Sequence, residues 1–250
     1  MTLSVKELSF EYKNRKVLEN ISFSIKKKEI ITILGPNGVG KTTLLKCINK
    51  ILPAAAGSIK IDGLSLEHLK NNTIAQKFSY VPQQAQANRI TAFDAILLGR
   101  RPYINWHVSK KDNEIVNAII KTLHLEKLSL RYIDEMSGGE LQKVCIARAL
   151  VQEPEILLLD EPTSNLDLKN QIEILCLIKH IVKEHNIAGL MTLHDINTAV
   201  KYSDKILFLK NGKISTPVTP RELNADIIKK VYGVDVEILQ NKNCIFVNPV

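Results

Sequence analysis

Residues 30–45 read IITILGPNGVGKTTLL, and this stretch decides the fold. Its first five residues form a nearly continuous, mostly β-branched run, which is typical of a strand buried on both faces of a sheet. From Thr42 onward the apolar residues recur at helical spacing, and Pro53 follows the last of them, Leu52. The stretch therefore predicts a buried strand, a glycine-rich loop and a helix over 42–52, in that order.

The loop between this strand and this helix matches G-x-x-x-x-G-K-[ST], a pattern that binds phosphate groups. Its glycines let the backbone turn N–H groups inward, and the helix N-terminus adds partial positive charge. We expect Lys41 to meet the β- and γ-phosphates of a nucleotide and Thr42 to reach Mg²⁺. The predicted phosphate-binding residues are Gly35, Pro36, Asn37, Gly38, Val39, Gly40, Lys41, Thr42 and Thr43.

The rest of the chain alternates between strand-like and helix-like patterns. Period-two alternation before the loop predicts strands, and helical patterns replace them from about 85 to 150. Strand and helix alternate again from Ile156 to Leu209, and a short C-terminal appendage covers about 217–250. The pattern predicts one α/β domain over residues 1–250 with a helical insertion.

Composition narrows the class of protein. The chain has 250 residues, of which 45% are hydrophobic and 24% charged. This composition is ordinary for a globular protein and excludes a disordered chain, a collagen-like fibre and a small disulfide scaffold. No uncharged apolar run approaches the roughly 18 residues that a membrane-spanning helix needs, and no secretory signal is visible. We therefore expect a cytoplasmic protein.

The formal net charge of +8 is compatible with nucleic acid, an anionic membrane surface or phosphorylated ligands as partners. No block of five or more like charges occurs, which argues against a nucleic-acid partner. Residues 151–200 hold 8 acidic and only 3 basic side chains. The basic remainder of the chain suits phosphate ligands and a position beside a membrane.

Two carboxylates follow the apolar run Ile156–Leu159. The end of a strand beside a phosphate loop is a suitable place for an acid that organises a metal, and Asp160 fits that role directly or through a water. Glu161 is placed to act on the water that attacks the γ-phosphate, as general base or orienting group. Without the phosphate loop, a solvated turn would be the simpler interpretation of the pair.

The sequence MSGGELQ at Met136–Gln142 predicts a second helix start, with Ser137 as its cap. It would form another anion site at a helix N-terminus, but one without its own lysine. S-G-G-E-x-Q about twenty residues before L-L-L-D-E, with G-K-T-T far upstream, resembles the nucleotide-binding subunits of ABC transporters. The likeness covers essentially the whole chain.

The resemblance implies a fold and an assembly. The fold is an α/β P-loop NTPase core (RecA-like, with a mostly parallel sheet), an antiparallel β subdomain and an inserted helical subdomain. ATP and Mg²⁺ are the implied cofactors, and two copies would sandwich two ATP molecules head to tail. The residues implied to reach the partner copy's nucleotide or to cross the interface are Ser137, Gly138, Gly139, Glu140 and Asp167.

The family pattern also assigns the remaining site residues. Tyr12 matches the aromatic that stacks on adenine, although by itself its position favours a strand packing residue. Gln83 matches the glutamine that contacts Mg²⁺ and water, and the residues alone leave Gln84 as an alternative. His194 matches the histidine that holds the γ-phosphate and Glu161. The implied catalytic set is Glu161, His194 and Gln83, and the implied metal set is Thr42, Gln83 and Asp160.

Two further stretches, GRRPYINW at Gly99–Trp106 and VYGVDV at Val231–Val236, are similar to ATPases of iron–siderophore, haem and cobalamin importers. The alternative is that both are packing features, with Trp106 as a core anchor. The resemblance implies an ATPase on the inner face of the membrane that energises import of a metal chelate. Its implied partners are integral-membrane permease subunits and, indirectly, an extracytoplasmic substrate-binding protein.

Other functions remain open on the sequence. The ATPase could serve zinc, manganese or molybdate, or an exporter. It could also be a soluble ABC ATPase outside transport, or a nucleotide-binding switch without turnover. The presence of both Glu161 and His194 argues against the switch.

Overall fold

The buried strand before Gly35 lies inside a six-stranded sheet. A computed structural model of the protein describes residues 2–13, 15–84, 89–241 and 245–250. The strands among these residues are β1 (Leu3–Tyr12), β2 (Arg15–Ile25), β3 (Ile30–Leu34), β4 (Ala56–Ile61), β5 (Leu64–Ser65), β6 (Phe78–Val81), β7 (Ile156–Asp160), β8 (Ala188–Thr192), β9 (Lys205–Lys210), β10 (Lys213–Ile214), β11 (Val236–Gln240) and β12 (Ile245–Pro249).

Helices connect these strands and cover the sheet. The α-helices are α1 (Lys41–Ile48), α2 (Asn71–Lys77), α3 (Ala92–Leu97), α4 (Lys110–Thr122), α5 (Gly138–Leu150), α6 (Leu168–Glu184), α7 (Ile196–Tyr202) and α8 (Ala225–Tyr232). Among the described residues, no helix combines the length and the apolar character needed to cross a bilayer.

The six-stranded sheet has the order β10-β9-β3-β8-β7-β6. Its neighbours pair in parallel from β9 to β6, and only β10 is antiparallel, as the second strand of a hairpin with β9. A separate four-stranded sheet, β2-β1-β4-β5, is antiparallel throughout. The predicted α/β class with a mostly parallel core and an antiparallel subdomain is therefore confirmed.

Each face of the core sheet packs in its own apolar cluster. Ile31 and Ile33 of β3 pack with α1 and with the antiparallel sheet. Ile30 and Leu34 point to the other face and pack with side chains of α5, α6 and α7. Alternation along one strand thus buries both faces, which is why β3 reads as an unbroken apolar run.

The described residues between β6 and β7 contain helices and no strand. This region holds α3, α4 and α5, in the part of the chain where we predict the helical insertion. After β10 the chain forms α8 and the hairpin β11–β12, which packs on α7. Asn197 holds that hairpin, since its side-chain amide bonds both the carbonyl and the N–H of Val247, at 3.0 and 2.7 Å.

One local prediction needs correction, and two short elements were not predicted. The helix after the loop ends at Ile48, not Leu52, because Lys50 adopts a left-handed backbone conformation with φ 53°. Strand β6 and helix α7 were not predicted, because each is too short to show a clear period. Ser79 of β6 is buried because its hydroxyl donates to the Ala149 carbonyl at 2.8 Å.

Candidate functional site

The parallel strands bring all the predicted catalytic loops to one edge of the sheet. Strand β3 leads into the glycine-rich loop, β6 into Gln83, β7 into Glu161 and β8 into His194. The carboxyl ends of parallel strands are the usual place for ligands in α/β folds. Four segments far apart in sequence therefore meet in space.

The glycine-rich loop has the backbone geometry that phosphate binding requires. Gly38 and Gly40 have φ values of 73° and 109°, in the left-handed region that favours glycine. A Cβ at Gly40 would also lie 2.9 Å from Cγ1 of Val17 in β2, so this position has no room for a side chain. Strand β2 thereby supports the loop from behind.

Lys41 is held by the loop itself. Its Nζ donates to the carbonyls of Gly35 and Pro36 at 2.9 and 3.3 Å. Burial lowers the pKa of Lys41, while Glu161 and Asp160 act in the opposite direction. The ammonium group is therefore positioned at the loop and faces two carboxylates.

Asp160 is buried beneath the loop and accepts three hydrogen bonds. Thr42 Oγ1 and Thr192 Oγ1 donate to Oδ1 at 3.1 and 2.9 Å, and the Tyr80 hydroxyl donates to Oδ2 at 3.0 Å. Burial, and then the Asp160 charge and hydrogen bond, raise the pKa of Tyr80 and keep it a donor. Sequence reasoning predicted Thr42 and Asp160 but missed Tyr80 and Thr192.

Register explains the missing partners. Thr192 lies directly opposite Asp160 in the β7–β8 ladder, and Tyr80 lies on β6, the neighbour of β7 on the other side. In the sequence, the only indication of their role is their position near the end of a strand. Thr192 is two residues before His194, and Tyr80 is three residues before Gln83. That signal becomes informative only when the strand order is known.

Glu161 is the centre of a second group. Its Oε2 lies 2.6 Å from Nε2 of Gln83 and 2.5 Å from Nε2 of His194. The Glu161 backbone is left-handed, with φ 49°, and its N–H donates to Thr192 Oγ1 at 2.9 Å. Non-glycine residues in this conformation store strain and are concentrated at functional sites.

A cavity of about 830 Å³ joins these groups to the loop. Glu161 and His194 line it, and so does Gln83, whereas Gln84 does not. Tyr12 also lines it and is 47% exposed, with its ring edge-on to Phe10 at 4.6 Å between centroids. The other lining residues are Arg15, Lys16, Val17, Pro36, Asn37, Gly38, Val39, Gly40, Lys41, Thr42, Thr43, Lys210, Asn211 and Gly212.

The remaining predicted residues form a separate group that does not line this cavity. Ser137 caps α5 in a capping box with Glu140, whose Oε2 accepts from the Ser137 N–H at 2.9 Å. Asp167 caps α6, with its Oδ1 accepting from the Asn170 N–H at 2.8 Å. The two helix starts touch, because a Cβ at Gly139 would lie 2.5 Å from the Asn170 side chain.

The stretch Gly99–Trp106, which is similar to ATPases of metal-chelate importers, has a buried part and an exposed part. Arg100 is buried in an ion cluster, with its Nε 2.9 Å from Asp112 and its Nη1 2.7 Å from Glu153. Trp106 is 97% exposed. The alternative that Trp106 is a core anchor is therefore wrong, while Arg100 does have a packing role.

Comparison with known proteins identifies the family of the chain. The family described as ABC transporter matches residues 18–164, which is more than half of the chain. The chain belongs to the ABC transporter family. Within that family it is an ATP-binding subunit, or cassette, similar to the relatives and solved structures that follow.

Three relatives match this cassette over nearly its whole length. The uncharacterized ABC transporter ATP-binding protein MJ0089 of Methanocaldococcus jannaschii is 54% identical, over 95% of this chain and 94% of its own. The petrobactin import ATP-binding protein FpuC of Bacillus anthracis is 35% identical, over 99% and 92%. The iron(3+)-hydroxamate import ATP-binding protein FhuC of Bacillus subtilis is 35% identical, over 95% and 90%.

Solved structures of ABC transporter proteins superimpose on this chain. A putative metal-chelate type ABC transporter in an inward-facing conformation superimposes with a TM-score of 0.85 at 29% identity, over 100% of this chain and 96% of its own. The ATP-binding cassette MJ0796, as a dimer bound to ADP and Pi, superimposes with a TM-score of 0.74 at 28% identity, over 88% and 100%. This cassette therefore has the fold of both.

Proposed function

We propose that the chain is the ATP-hydrolysing subunit of an importer for a metal chelate. The observation that carries the catalytic part is Glu161, whose carboxylate is held by Gln83 and His194 beside the phosphate loop. A carboxylate fixed by two nitrogen groups at the end of the phosphate-binding cavity is placed to accept a proton from an attacking water. Hydrolysis is therefore the reaction that this geometry supports best.

The loop and Lys41 bind and orient the nucleotide. Inward N–H groups and the N-terminus of α1 neutralise phosphate charge, and Lys41 exchanges its two backbone carbonyl partners for phosphate oxygens. Tyr12 supplies a half-exposed ring in the lining of the cavity, on which a base would stack. His194 holds Glu161 in place and would contact the γ-phosphate.

The oxygen groups around Asp160 fit Mg²⁺. Thr42 and Asp160 offer hydroxyl and carboxylate oxygens 3.1 Å apart, and Mg²⁺ is usually bound by one or two carboxylates together with substrate phosphates. Thr42, Asp160 and Gln83 would hold the ion. When bound, it would neutralise charge on the phosphates.

The separate group of residues at the starts of α5 and α6 supports a head-to-tail dimer. Ser137, Gly138, Gly139, Glu140 and Asp167 lie together but apart from the phosphate loop, so they would complete the site of a second copy. The dimeric cassette with ADP and Pi superimposes on 88% of this chain with the whole of its own length. Closure around ATP and opening after hydrolysis would then move the helical regions of the two copies.

The import function rests on the relatives. Two of them are import ATP-binding proteins, for petrobactin and for iron(3+)-hydroxamate, and the superimposed transporter is of metal-chelate type. We propose a permease in the membrane as partner, with this chain on its inner face and an extracytoplasmic binding protein delivering the chelate. The exposed part of Gly99–Trp106 is the proposed permease contact, because its buried part fixes it to the cassette.

Glu161→Gln tests the catalytic part. This change keeps the shape of the side chain but removes the proton acceptor, so phosphate release should fall at least about 100-fold while ATP still binds. The variant should also accumulate as an ATP-bound dimer in size-exclusion chromatography. Glu114→Gln, on the exposed face of α4, is the matched control and should hydrolyse normally. Normal hydrolysis by Glu161→Gln would remove Glu161 from this role.

The cargo needs a separate experiment in cells. A strain that lacks the chain and is complemented with wild type or Glu161→Gln is offered labelled iron(3+)-hydroxamate. Uptake restored by wild type but not by the variant supports the proposal. Equal uptake in both strains, together with loss of zinc, manganese or molybdate uptake, would favour one of the other cargoes.

A further inference from the structure

A buried hydroxyl group in β8 joins the two carboxylates of the candidate site. Every residue of β8 is buried, and Thr192, with 0% exposure, is the only one that carries a hydroxyl group. Strands buried on both faces are usually filled by apolar residues such as valine and isoleucine. A buried hydroxyl group costs free energy unless it forms hydrogen bonds, so the partners of Thr192 indicate its role.

Both hydrogen-bonding capacities of this hydroxyl group are used. Its oxygen accepts from the Glu161 N–H at 2.9 Å, and the hydroxyl donates to Oδ1 of Asp160, also at 2.9 Å. The direction of each bond is fixed, because an N–H group only donates and a carboxylate only accepts. One hydroxyl group of Thr192 therefore ties the side chain of Asp160 to the backbone of the next residue.

The Glu161 backbone needs such a contact because it departs from strand geometry. Neighbouring residues of an extended strand point to opposite faces of a sheet. Asp160 and Glu161 can serve one site because the chain turns at Glu161, where φ is 49°. A non-glycine residue in this conformation is strained and persists only when its surroundings hold it. The bond to Thr192 is one of the contacts that hold it.

Strand β8 and the turn after it contact Glu161 at both ends of the residue. Thr192 bonds its N–H, and His194, two residues later, lies 2.5 Å from its carboxylate. Thr192 is also the residue opposite Asp160 in the β7–β8 ladder. The position of Glu161 relative to Asp160 is therefore set from this one short segment.

We propose that Thr192 is a positioning residue that couples the metal site to the proton acceptor, because one hydroxyl group orients Asp160 and fixes the backbone of Glu161. This role rests on the proposed function, in which Asp160 holds Mg²⁺ and Glu161 acts on the attacking water. Loss of the hydroxyl group should disturb metal binding and turnover together. Tyr80, by contrast, donates to Asp160, so its loss should act on metal binding.

Thr192→Val tests this role, because it replaces the hydroxyl group by a methyl group and keeps the β-branched shape. The matched control is Thr32→Val on β3, where another fully buried hydroxyl group shares a hydrogen bond with Ser203 Oγ at 2.5 Å, outside the candidate site. Thr192→Ser and Thr192→Ala form a second pair, which compares the presence and absence of the hydroxyl group in a smaller side chain.

Four quantities are measured for each variant. They are kcat for ATP, KM for ATP at saturating Mg²⁺, the melting temperature, and the Mg²⁺ concentration at which binding of a fluorescent ATP analogue is half-maximally tightened. The last quantity reports on the metal site without requiring hydrolysis.

We expect Thr192→Val to lower kcat about tenfold and to raise the half-maximal Mg²⁺ concentration about tenfold, as is typical when a partner that orients a metal ligand is lost. KM should change much less, since the loop and Lys41 are untouched. Thr192→Ser should stay within about threefold of wild type in both quantities, because it keeps the donor and the acceptor. Thr32→Val should lower the melting temperature and leave kcat and the Mg²⁺ dependence unchanged.

Wild-type kcat and Mg²⁺ dependence in Thr192→Val would overturn the inference, and a change confined to one of the two would refute the coupling. Equal losses in Thr32→Val, or a loss in Thr192→Ser as large as in Thr192→Ala, would show that packing and not the hydroxyl group matters. Wild-type protein that binds ATP without hydrolysing it would refute the proposed function. The Mg²⁺ dependence of analogue binding would then still decide whether Thr192 orients Asp160.

Discussion

Asp160 shows how single side chains are fixed before any ligand arrives. Its two carboxylate oxygens accept from three hydroxyl groups on three different elements, α1, β6 and β8. Hydrogen bonds from such outer partners orient a metal ligand, and their loss typically weakens metal binding 10- to 100-fold. Tyr80 is the best partner to remove in a test, because its hydroxyl is the donor to Oδ2 while the other two bonds go to Oδ1.

We predict that Tyr80→Phe raises the Mg²⁺ concentration for half-maximal ATP hydrolysis about tenfold. The rate at saturating Mg²⁺ should change much less, since Glu161 and Lys41 are untouched. A Mg²⁺ titration of phosphate release measures both. Tyr103→Phe is the control, because its hydroxyl donates to the Gln152 carbonyl at 3.0 Å, away from Asp160. An unchanged titration in Tyr80→Phe, or the same shift in both variants, would contradict the role.

At the residue scale, the sequence predicted the site residues that belong to a continuous motif. It missed the residues that only strand pairing brings next to Asp160. Lys41, Thr42, Asp160 and Glu161 follow from short motifs whose chemistry depends on adjacent residues. Thr192 is an ordinary strand residue until β7 and β8 align it with Asp160. Parallel pairing is a non-local property, so no local pattern could have identified it.

At the element scale, the segment around Arg100 joins the helical insertion to the core. Arg100 is buried, bonds the Val151 carbonyl at 2.7 Å, and stacks over the Tyr103 ring at 4.0 Å. Its partner Asp112 caps α4 together with Ser109. Hydrogen bonds from Ser109 and then from Arg100 lower the pKa of Asp112 below its ordinary value of 3.8, against the effect of burial.

We predict that Asp112→Asn lowers the free energy of unfolding by about 3 kcal/mol, because Arg100 loses a charged partner while remaining buried. A carboxyl group whose pKa is depressed in the folded state stabilises above its unfolded pKa. The difference between wild type and variant should therefore be full at pH 7 and shrink as the pH falls below about 3.8.

Urea denaturation at pH 7, 5 and 3.5 measures that difference. The control is Asp94→Asn, an exposed capping carboxylate on α3 that bonds Thr91 at 2.6 Å. It should cost no more than about 1 kcal/mol. Equal stability of Asp112→Asn and wild type at pH 7, or a difference that persists unchanged to pH 3.5, would contradict the assignment.

The exposed end of the same segment carries a different prediction. Trp106 is 97% exposed, so Trp106→Ala should leave stability and the isolated ATPase unchanged. If it contacts the permease, its loss should cost about 2 kcal/mol or more of binding, as for buried tryptophans at interfaces. Co-purification with the permease measures the loss of binding. Leu239→Ala is the control, because it removes another exposed apolar side chain, on β11. Undiminished recovery of the complex with Trp106→Ala would place the contact elsewhere.

Elements differed in how well the sequence predicted them, and composition and length together explain the difference between the strands. Strands β3, β7 and β8 are each buried at every residue and read as apolar runs. Strand β6 has only four residues and includes Ser79, a polar residue whose burial depends on its bond to Ala149. The helix after the loop was predicted but overextended, because its end is set by backbone conformation and not by periodicity.

At the scale of the whole molecule, the net charge of +8 conceals the distribution that matters. The carboxylates proposed to position the metal and the water, Asp160 and Glu161, lie in the acidic block between residues 151 and 200. The glycine-rich loop, the proposed phosphate site, lies in the basic remainder and brings Lys41 near those carboxylates. The site thus combines opposite charges from two parts of the chain. In a single copy, Ser137 and the residues grouped with it at the starts of α5 and α6 do not line the cavity.

The last prediction follows from that division. In a head-to-tail dimer, each site takes Lys41 from one copy and Ser137 from the other, so Lys41→Ala and Ser137→Arg should each abolish hydrolysis as pure proteins. An equimolar mixture forms mixed dimers in half of the cases, each with one intact and one doubly defective site. About a quarter of the wild-type sites should then return, and phosphate release should recover in proportion.

Ser109→Arg is the control, because it breaks a capping box of the same kind on α4 and should lower stability without affecting hydrolysis. Full activity of pure Ser137→Arg would exclude Ser137 from the site, and a silent mixture that still forms ATP-dependent dimers would show that the two chains do not share sites.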